Sequence, residues 1–381
     1  MKNKHILIFS LAYYPAVWWA EVARKEITDR IHEYSFDMIV AKMKRWLKFK
    51  EKIGNVTVYR VWFWFASIDK LLYSIIAPIF WVWLFFKKKY LLSVWLMASF
   101  WWLAAAFCRS LLGKRAYYVL NLQDWDTDEY INKKIKGKKF LYTFIFRRAD
   151  HITVLAEFLK KRAYDYGYHK KVTIIPNGVD THKFFSYIRN EALLDSLKHV
   201  LWIEKNDKVV VTTSRLNYKN WIDAIILSLN HLPQNYKFLC LWEGEDRHAL
   251  ESLIQKHNLQ KRVMLLWYVS HDKILDYLSL SDFFCRPSLQ EWFWNSFVEA
   301  MAFRLPVIAT PVWGIVDFLK DGETWYFCAV KNPKSIADAI LKFDANKEKT
   351  DKILDNAKKM VIEKYNRDTI AQSYKHLFDS L

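Results

Sequence analysis

Short apolar runs alternate with longer amphipathic stretches along the chain. Runs at 5–10, 56–61, 116–122, 151–155, 172–175, 208–213, 237–241, 262–266, 283–285 and 306–309 read as strands buried on both faces. Between them, residues 20–34, 221–231, 246–257, 271–280 and 294–303 repeat their apolar positions at helical spacing. Strands alternating with helices of this length predict an α/β fold, with parallel sheets covered by helices. A polar stretch near residues 186–206 divides the pattern. Two doubly wound domains with a cleft between them are the economical architecture.

Residues 71–107 depart from the rhythm. Leu71 to Phe86 and Tyr90 to Phe107 are nearly uncharged and are separated by three lysines, as in a membrane hairpin. Pro78 interrupts the first run, and strands and helices alternate again straight afterwards. The expectation is a buried strand and helix, or a surface element that touches lipid, and not a true span.

Composition adds an anomaly. Of 381 residues only 8 are glycine, while 19 are tryptophan. Together the two types restore about the usual 7% share of glycine. Otherwise the chain is ordinary: 52% hydrophobic and 26% charged, which excludes a disordered chain and a polytopic membrane protein. Cys108, Cys240, Cys285 and Cys328 lie far apart in mostly apolar surroundings and read as buried, reduced thiols. Met1 to His5 leads directly into Ile6–Phe9, a first strand with no long signal core before it. The expected location is the cytoplasm, with a peripheral place at the inner membrane face.

Charge separates the two halves. Residues 1–200 carry 34 Lys and Arg against 17 Asp and Glu, whereas residues 201–381 carry 24 against 23. The basic excess clusters at Lys42–Lys52, Lys87–Lys89, Lys133–Lys139 and Lys160–Arg162. Such a field attracts anionic partners, among them a lipid surface, a phosphorylated substrate or nucleic acid. About half of these lysines read simply as solvated surface.

The densest chemistry lies at Pro287–Ala302, where Glu291 and Glu299 stand eight apart and a helix opens near Asn295. A helix start presents free N–H groups to an anion, and two carboxylates can grip hydroxyls of a sugar and a ribose. Upstream, Ser214-Arg215-Leu216-Asn217-Tyr218-Lys219 places two cations at a strand end, where they can neutralise a leaving diphosphate. Further blocks are Leu241 to Arg247, Leu266-Trp267-Tyr268-Val269, Thr310 to Ile315 and Ile175-Pro176-Asn177-Gly178-Val179-Asp180.

In this order, the blocks resemble family 4 of the glycosyltransferases, the large GT-B group that uses nucleotide sugars. The resemblance covers nearly the whole chain and is most specific over 172–330. It implies a donor domain at 195–365 and an acceptor domain at 1–190, with a last helix (about 366–381) crossing back onto the acceptor domain. Arg215 and Lys219 would bind the diphosphate, Glu291 the donor sugar, and Glu299 the ribose. Phe293, Trp294 and Asn295 would supply loop and helix-start amides. Trp18 and Trp19 would form the N-terminal loop facing the donor, with the base near Trp267 and Tyr268. The implied reaction is retaining transfer of a sugar to a glycan or lipid-linked acceptor, with no cofactor beyond the sugar nucleotide and no nucleic-acid partner. A GT-B epimerase or hydrolase, or a non-catalytic basic binding protein, are the competing readings.

Two departures stand out. Where the family has glycine, this chain has Trp18, Trp19, Trp202, Trp221, Trp242, Trp267, Trp292, Trp294, Trp313 and Trp325. Glycine codons written UGA and translated as tryptophan would produce this pattern; aromatic platforms for sugar stacking are the alternative. TGG codons at Trp18, Trp292 and Trp294 would exclude the first reading. The second departure is Asp124, standing where the family often has a histidine after the strand at 116–122. It could orient or deprotonate an acceptor. Asp124, Asp126 and Asp128 have the spacing of a calcium loop, but Glu129 and Ile135 occupy its obligatory glycine and glutamate positions. No metal is expected.

Overall fold

A computed structural model describes residues 4–15, 19–42, 44, 46–61, 69–96, 106, 109–110, 113, 117–123, 131–133, 137, 139–270, 273–289, 295–316 and 319–381. The chain divides into two compact units, residues 1–177 with 367–381, and residues 178–366.

The first unit opens with β1 (Lys4–Phe9), α1 (Trp19–Arg30), β2 (Tyr34–Ala41), β3 (Lys50–Ile53) and β4 (Val56–Val61). There follow α2 (Asp69–Lys87), β5 (Tyr90–Leu96), β6 (Tyr118–Leu122), α3 (Lys139–Arg148), β7 (His151–Val154), α4 (Glu157–Asp165) and β8 (Val172–Ile174). The strand order is β3-β4-β2-β1-β5-β6-β7-β8, parallel except for the β3–β4 pair. The chain winds outward from β1 through β2 to β4, then returns to the other side of β1 with β5. The order therefore reverses between β1 and β5.

Residues 71–107 supply helix α2 and strand β5. Among the described residues no helix is long and apolar enough to cross a membrane. Trp81 on α2 is 1% exposed and meets the rings of Phe9 and Trp95 edge-on. β2 escapes the sequence pattern because Asp37 interrupts its apolar run. In the fold that carboxylate is buried and accepts from Lys88 Nζ (2.7 Å) and Tyr90 Oη (2.6 Å). Burial, and then this carboxylate, push the Tyr90 phenol well above its ordinary pKa.

The second unit contains the short helix α5 (Thr181–Phe185), then α6 (Glu191–Val200), β9 (Lys208–Thr212), α7 (Ile222–Ser228), β10 (Tyr236–Cys240), α8 (Arg247–Lys256) and β11 (Val263–Leu265). It continues through α9 (Ile274–Ser279), β12 (Phe283–Arg286), α10 (Asn295–Ala302), β13 (Val307–Ala309), β14 (Tyr326–Phe327), α11 (Pro333–Ala345) and α12 (Lys347–Lys364). Its all-parallel sheet runs β11-β10-β9-β12-β13-β14. Here the order reverses between β9 and β12. Cys240, Cys285 and Cys328 are free and buried, and burial raises all three thiols, Cys240 and Cys328 to about 12. Cys108 lies outside the described residues.

The division falls at 177/178, earlier than the expected 190–195. Residues 178–190 side with the second unit because Val179 bridges to Asn366 and Tyr187 Oη donates to Asp276 (2.8 Å). The chain's last helix, α13 (Arg367–Ser380), packs on α1 in the first unit. Asp379 accepts from Tyr34 Oη (2.6 Å) and Lys4 (3.3 Å), while Arg30 and Arg367 meet Asp368 and Glu26. The Tyr34 hydrogen bond, with the two lysines beside it, holds the Asp379 carboxyl down to about 2.

Backbone geometry sorts the tryptophans. Among the described residues, Trp202 (φ 50°) and Trp221 (φ 52°) are the tryptophans in the left-handed region. Trp202 sits just past the end of α6, where its N–H donates to His199 O and Ile203 N–H to Lys198 O. That is a Schellman motif, whose left-handed position glycine normally fills. Trp325, by contrast, is fully buried, ring against ring with Phe297 and Phe327, and its backbone makes no demand for glycine. Trp18, Trp292 and Trp294 lie outside the described residues.

Trp202 is 66% exposed, so removing its side chain forfeits little burial. Trp202→Gly is therefore expected to raise stability by about 1 kcal/mol, while Trp202→Ala, which keeps the Cβ, gains far less. The urea midpoint at constant slope measures it; an unchanged midpoint would count against the strain.

Candidate active site

In open parallel sheets, ligands bind beyond the carboxyl ends of the strands where the strand order reverses. In the second unit that place is between β9 and β12. The loops leaving these two strands carry Arg215 and Lys219 on one side and residues 287–294 on the other.

The first loop is rigidly built. Asn217 Oδ1 accepts from Lys219 N (2.9 Å), Asn220 Nδ2 donates to Arg215 O (2.7 Å), and residues 218–220 form a single 3₁₀ turn. Arg215 and Lys219 are both exposed. Leu289 N–H donates to Lys219 O (2.8 Å), which ties this loop to the one leading to residue 291. Two segments seventy positions apart thus share a backbone hydrogen bond at the switch point. Glu291, Phe293 and Trp294 lie outside the described residues.

Beyond that gap, Asn295 opens α10 and is half-buried. Glu299 follows one turn later, so both fall on the same helix face, and it is 6% exposed. Arg286, at the end of β12, joins both flanks of the loop. Its Nη1 donates to Ser296 Oγ (2.9 Å) and its Nε reaches Ser288 Oγ (3.4 Å). Thr310 Oγ1, fully buried, donates to Ser288 O (2.5 Å). The sequence reading missed this clamp; the only local signal was a cation at a strand end.

The β10–α8 and β11–α9 loops complete the described wall. Arg247 pairs with both carboxylate oxygens of Glu243 (2.7 and 2.8 Å) and donates to Leu265 O and Leu266 O (3.1 and 2.8 Å). Its guanidinium lies 4.6 Å from the centre of the Trp267 ring. This ion pair holds the Glu243 carboxyl below its ordinary range. Tyr268 meets Trp242 edge-on at 4.7 Å. Trp267 and Tyr268, 71% and 59% exposed, are therefore aromatic faces oriented against the β10 loop, which in turn borders the β9 loop where Leu216 N–H donates to Glu243 O (3.3 Å).

In the first unit the reversal lies between β1 and β5. The β1–α1 loop leaves from there, with Arg60 donating to Tyr14 O (2.8 Å) and Ser10 Oγ to buried Glu21 (3.2 Å). Trp18 lies outside the described residues; Trp19 is the first residue of α1, and its side chain also lies outside them. Asp124 lies outside them too, but the end of β6 just before it is fixed. Asn121 Oδ1 accepts from Arg24 Nη2 (3.0 Å) and Gln123 Nε2 (2.7 Å), and Asn121 Nδ2 donates to Thr153 (2.7 Å) and Tyr374 (3.0 Å).

Comparison with known proteins assigns the same two halves. Residues 26–183 match the family model described as Glycosyltransferase Family 4, and residues 195–360 the one described as Glycosyl transferases group 1. An uncharacterized glycosyltransferase of Methanocaldococcus jannaschii is 27% identical over 210 residues, 55% of this chain and 54% of that protein. The match thus spans about half the length of that relative. N-acetyl-alpha-D-glucosaminyl L-malate synthase of Bacillus anthracis is 21% identical over 284 residues, 72% of this chain and 71% of its own. Among solved structures, Anabaena HepE in complex with UDP-glucose superposes with a TM-score of 0.75 at 18% identity, covering 100% of both chains. Two doubly wound units, each matched by the corresponding half of the family, make this chain a member of the family 4 glycosyltransferases of GT-B fold.

Proposed function

We propose that the chain transfers a glycosyl group from a nucleoside-diphosphate sugar to an acceptor hydroxyl, with retention at the anomeric carbon, in the synthesis of a cell-surface glycan or glycolipid. The observation that carries this reading is the β9–β12 switch point, where the loop bearing two exposed cations, Arg215 and Lys219, is hydrogen-bonded at Lys219 O to Leu289 N–H in the loop leading to Glu291. When the bond from the anomeric carbon to the diphosphate oxygen breaks, negative charge grows on the leaving group. Arg215 and Lys219 meet that charge. The acceptor oxygen forms its bond on the face the diphosphate leaves, and Asp124 orients the hydroxyl or takes its proton.

Glu291 holds donor-sugar hydroxyls, and Glu299, one turn into α10, holds the ribose. Amides of Phe293, Trp294 and Asn295 face the donor, as does the Trp18–Trp19 loop, while Trp267 and Tyr268 flank the base. The HepE neighbour, captured with UDP-glucose, supports a uridine or similar sugar nucleotide. No cofactor or metal beyond that donor is called for, since the two cations carry the charge of the diphosphate. The acceptor is a glycan or lipid-linked hydroxyl, reached by a cytoplasmic enzyme lying peripherally on the inner membrane face.

Glu291→Ala is expected to lower donor turnover at least tenfold while leaving nucleoside-diphosphate affinity within about twofold. Assaying release of nucleoside diphosphate with and without acceptor tests it. Turnover unaffected by Glu291→Ala contradicts the assignment. A product formed at full rate without acceptor identifies an epimerase or hydrolase instead.

A further inference from the structure

The exposed face of α2 has no role in the donor chemistry. Ile79, Trp83 and Phe86 stand at i, i+4 and i+7, one stripe of the helix, and are 64%, 46% and 78% exposed. The opposite stripe, Ala77, Trp81 and Leu84, is buried. The helix is thus apolar on both faces, which a surface helix in contact with water alone does not require.

The outer face continues beyond the helix. Phe80 packs against Trp83 (ring centres 5.1 Å apart), Phe49 (5.8 Å) and Tyr59 (5.7 Å), and Phe49 is itself 54% exposed. Lysines surround this patch: Lys87 lies 4.0 Å over the Trp83 ring and Lys50 5.5 Å over the Tyr59 ring. Lys44, Lys48, Lys52 and Lys89 are exposed on the same two segments. The acidic residue among them, Glu51, is paired with buried Arg60 (2.7 Å).

From this juxtaposition we infer that the α2 face with the 44–52 segment is a docking surface for an anionic phospholipid bilayer. Aromatic and aliphatic side chains flanked by lysines match the boundary between acyl chains and anionic headgroups. The same exposed lysines repel a second copy of the chain, which disfavours the face as a dimer contact. This assigns a place on the molecule to the membrane side of the proposed function. Its test needs neither donor nor acceptor, so it can fail while the transfer reading stands.

Flotation of the full chain with phosphatidylcholine vesicles, and with vesicles holding roughly 30% phosphatidylglycerol, measures it. Partitioning onto the anionic vesicles is expected to be about tenfold stronger or more, and to weaken as salt rises. Ile79→Ser with Phe86→Ser should lower it about tenfold, with the thermal transition followed by circular dichroism as the check on folding. Lys87→Glu with Lys89→Glu, both exposed, should abolish the anionic preference, and keeps the test valid if the serine variant fails to fold. Equal binding to both vesicle types, no binding, or variants that bind like the parent would overturn the proposal. So would a dimer by light scattering that the Phe86→Ser variant dissolves.

Discussion

Lys219→Ala is expected to lower kcat by about 100- to 1,000-fold, the usual scale for removing a group that meets charge developing in a transition state. Stability should change by less than about 0.5 kcal/mol, because the side chain is exposed. The Lys219 carbonyl that accepts from Leu289 is backbone and survives the substitution. Affinity for the intact nucleoside-diphosphate sugar should fall only about tenfold, since in the ground state the oxygen of the breaking bond carries less charge. Lys219→Arg, keeping the cation, should recover part of the loss. Arg215→Ala should act in the same direction. The double variant should lose less than the product of the two single effects, because both cations serve one diphosphate. The decisive readout is the split between kcat and KM. A Lys219→Ala enzyme with raised KM and intact kcat would mean that the lysine only binds the donor.

Gly244→Ala is expected to damage the same site without touching a charged group. A Cβ at residue 244 would lie 2.1 Å from Leu216 O and 2.7 Å from Leu216 N, both backbone atoms that no rotamer change can move. Leu216 is held from both sides, its N–H donating to Glu243 O (3.3 Å) and its carbonyl accepting from Asp246 N (3.1 Å). The methyl must therefore push the Arg215–Lys219 loop out of place. The expected cost is about 1–3 kcal/mol of stability, with a fall in kcat approaching that of Lys219→Ala. Gly322→Ala is the control: its φ is +72° but its nearest neighbour is a Tyr326 ring carbon at 3.7 Å. It should cost about 1 kcal/mol from backbone strain and leave donor turnover alone. Equal behaviour of the two variants would show that general destabilisation, and not displacement of the loop, is at work.

Much of the fold is legible in the residues because strand and helix periodicity is local. Each run expected as a strand is one, and α7, α8 and α10 begin within a residue of their expected starts. β2 stayed hidden because Asp37 breaks its pattern, and its partners Lys88 and Tyr90 lie about fifty residues away. Arg286 went unrecognised for the same kind of reason. Nothing near it in the chain indicates that Ser288 and Ser296 flank it at the two ends of one loop. The tryptophans show the limit most clearly. In the sequence, Trp202 and Trp325 are equivalent stand-ins for glycine. In the fold, one occupies a left-handed helix cap and the other a fully buried slot between aromatic rings.

What the sequence determined by itself is whatever depends on neighbours within a few positions: alternating elements, the basic first half, and the order of the motifs that mark the family. What the tertiary structure alone decided is which of these meet. Strand order set the β9 and β12 loops side by side and joined Leu289 to Lys219. The closing helix α13 went to the first unit because Asp379, Asp368 and Tyr374 find Tyr34, Arg30 and Asn121 there. The outward apolar stripe of α2 likewise became visible only once its other face was seen buried. Periodicity fixes a residue's direction within its own element, but adjacency and burial come from packing between elements far apart in the chain.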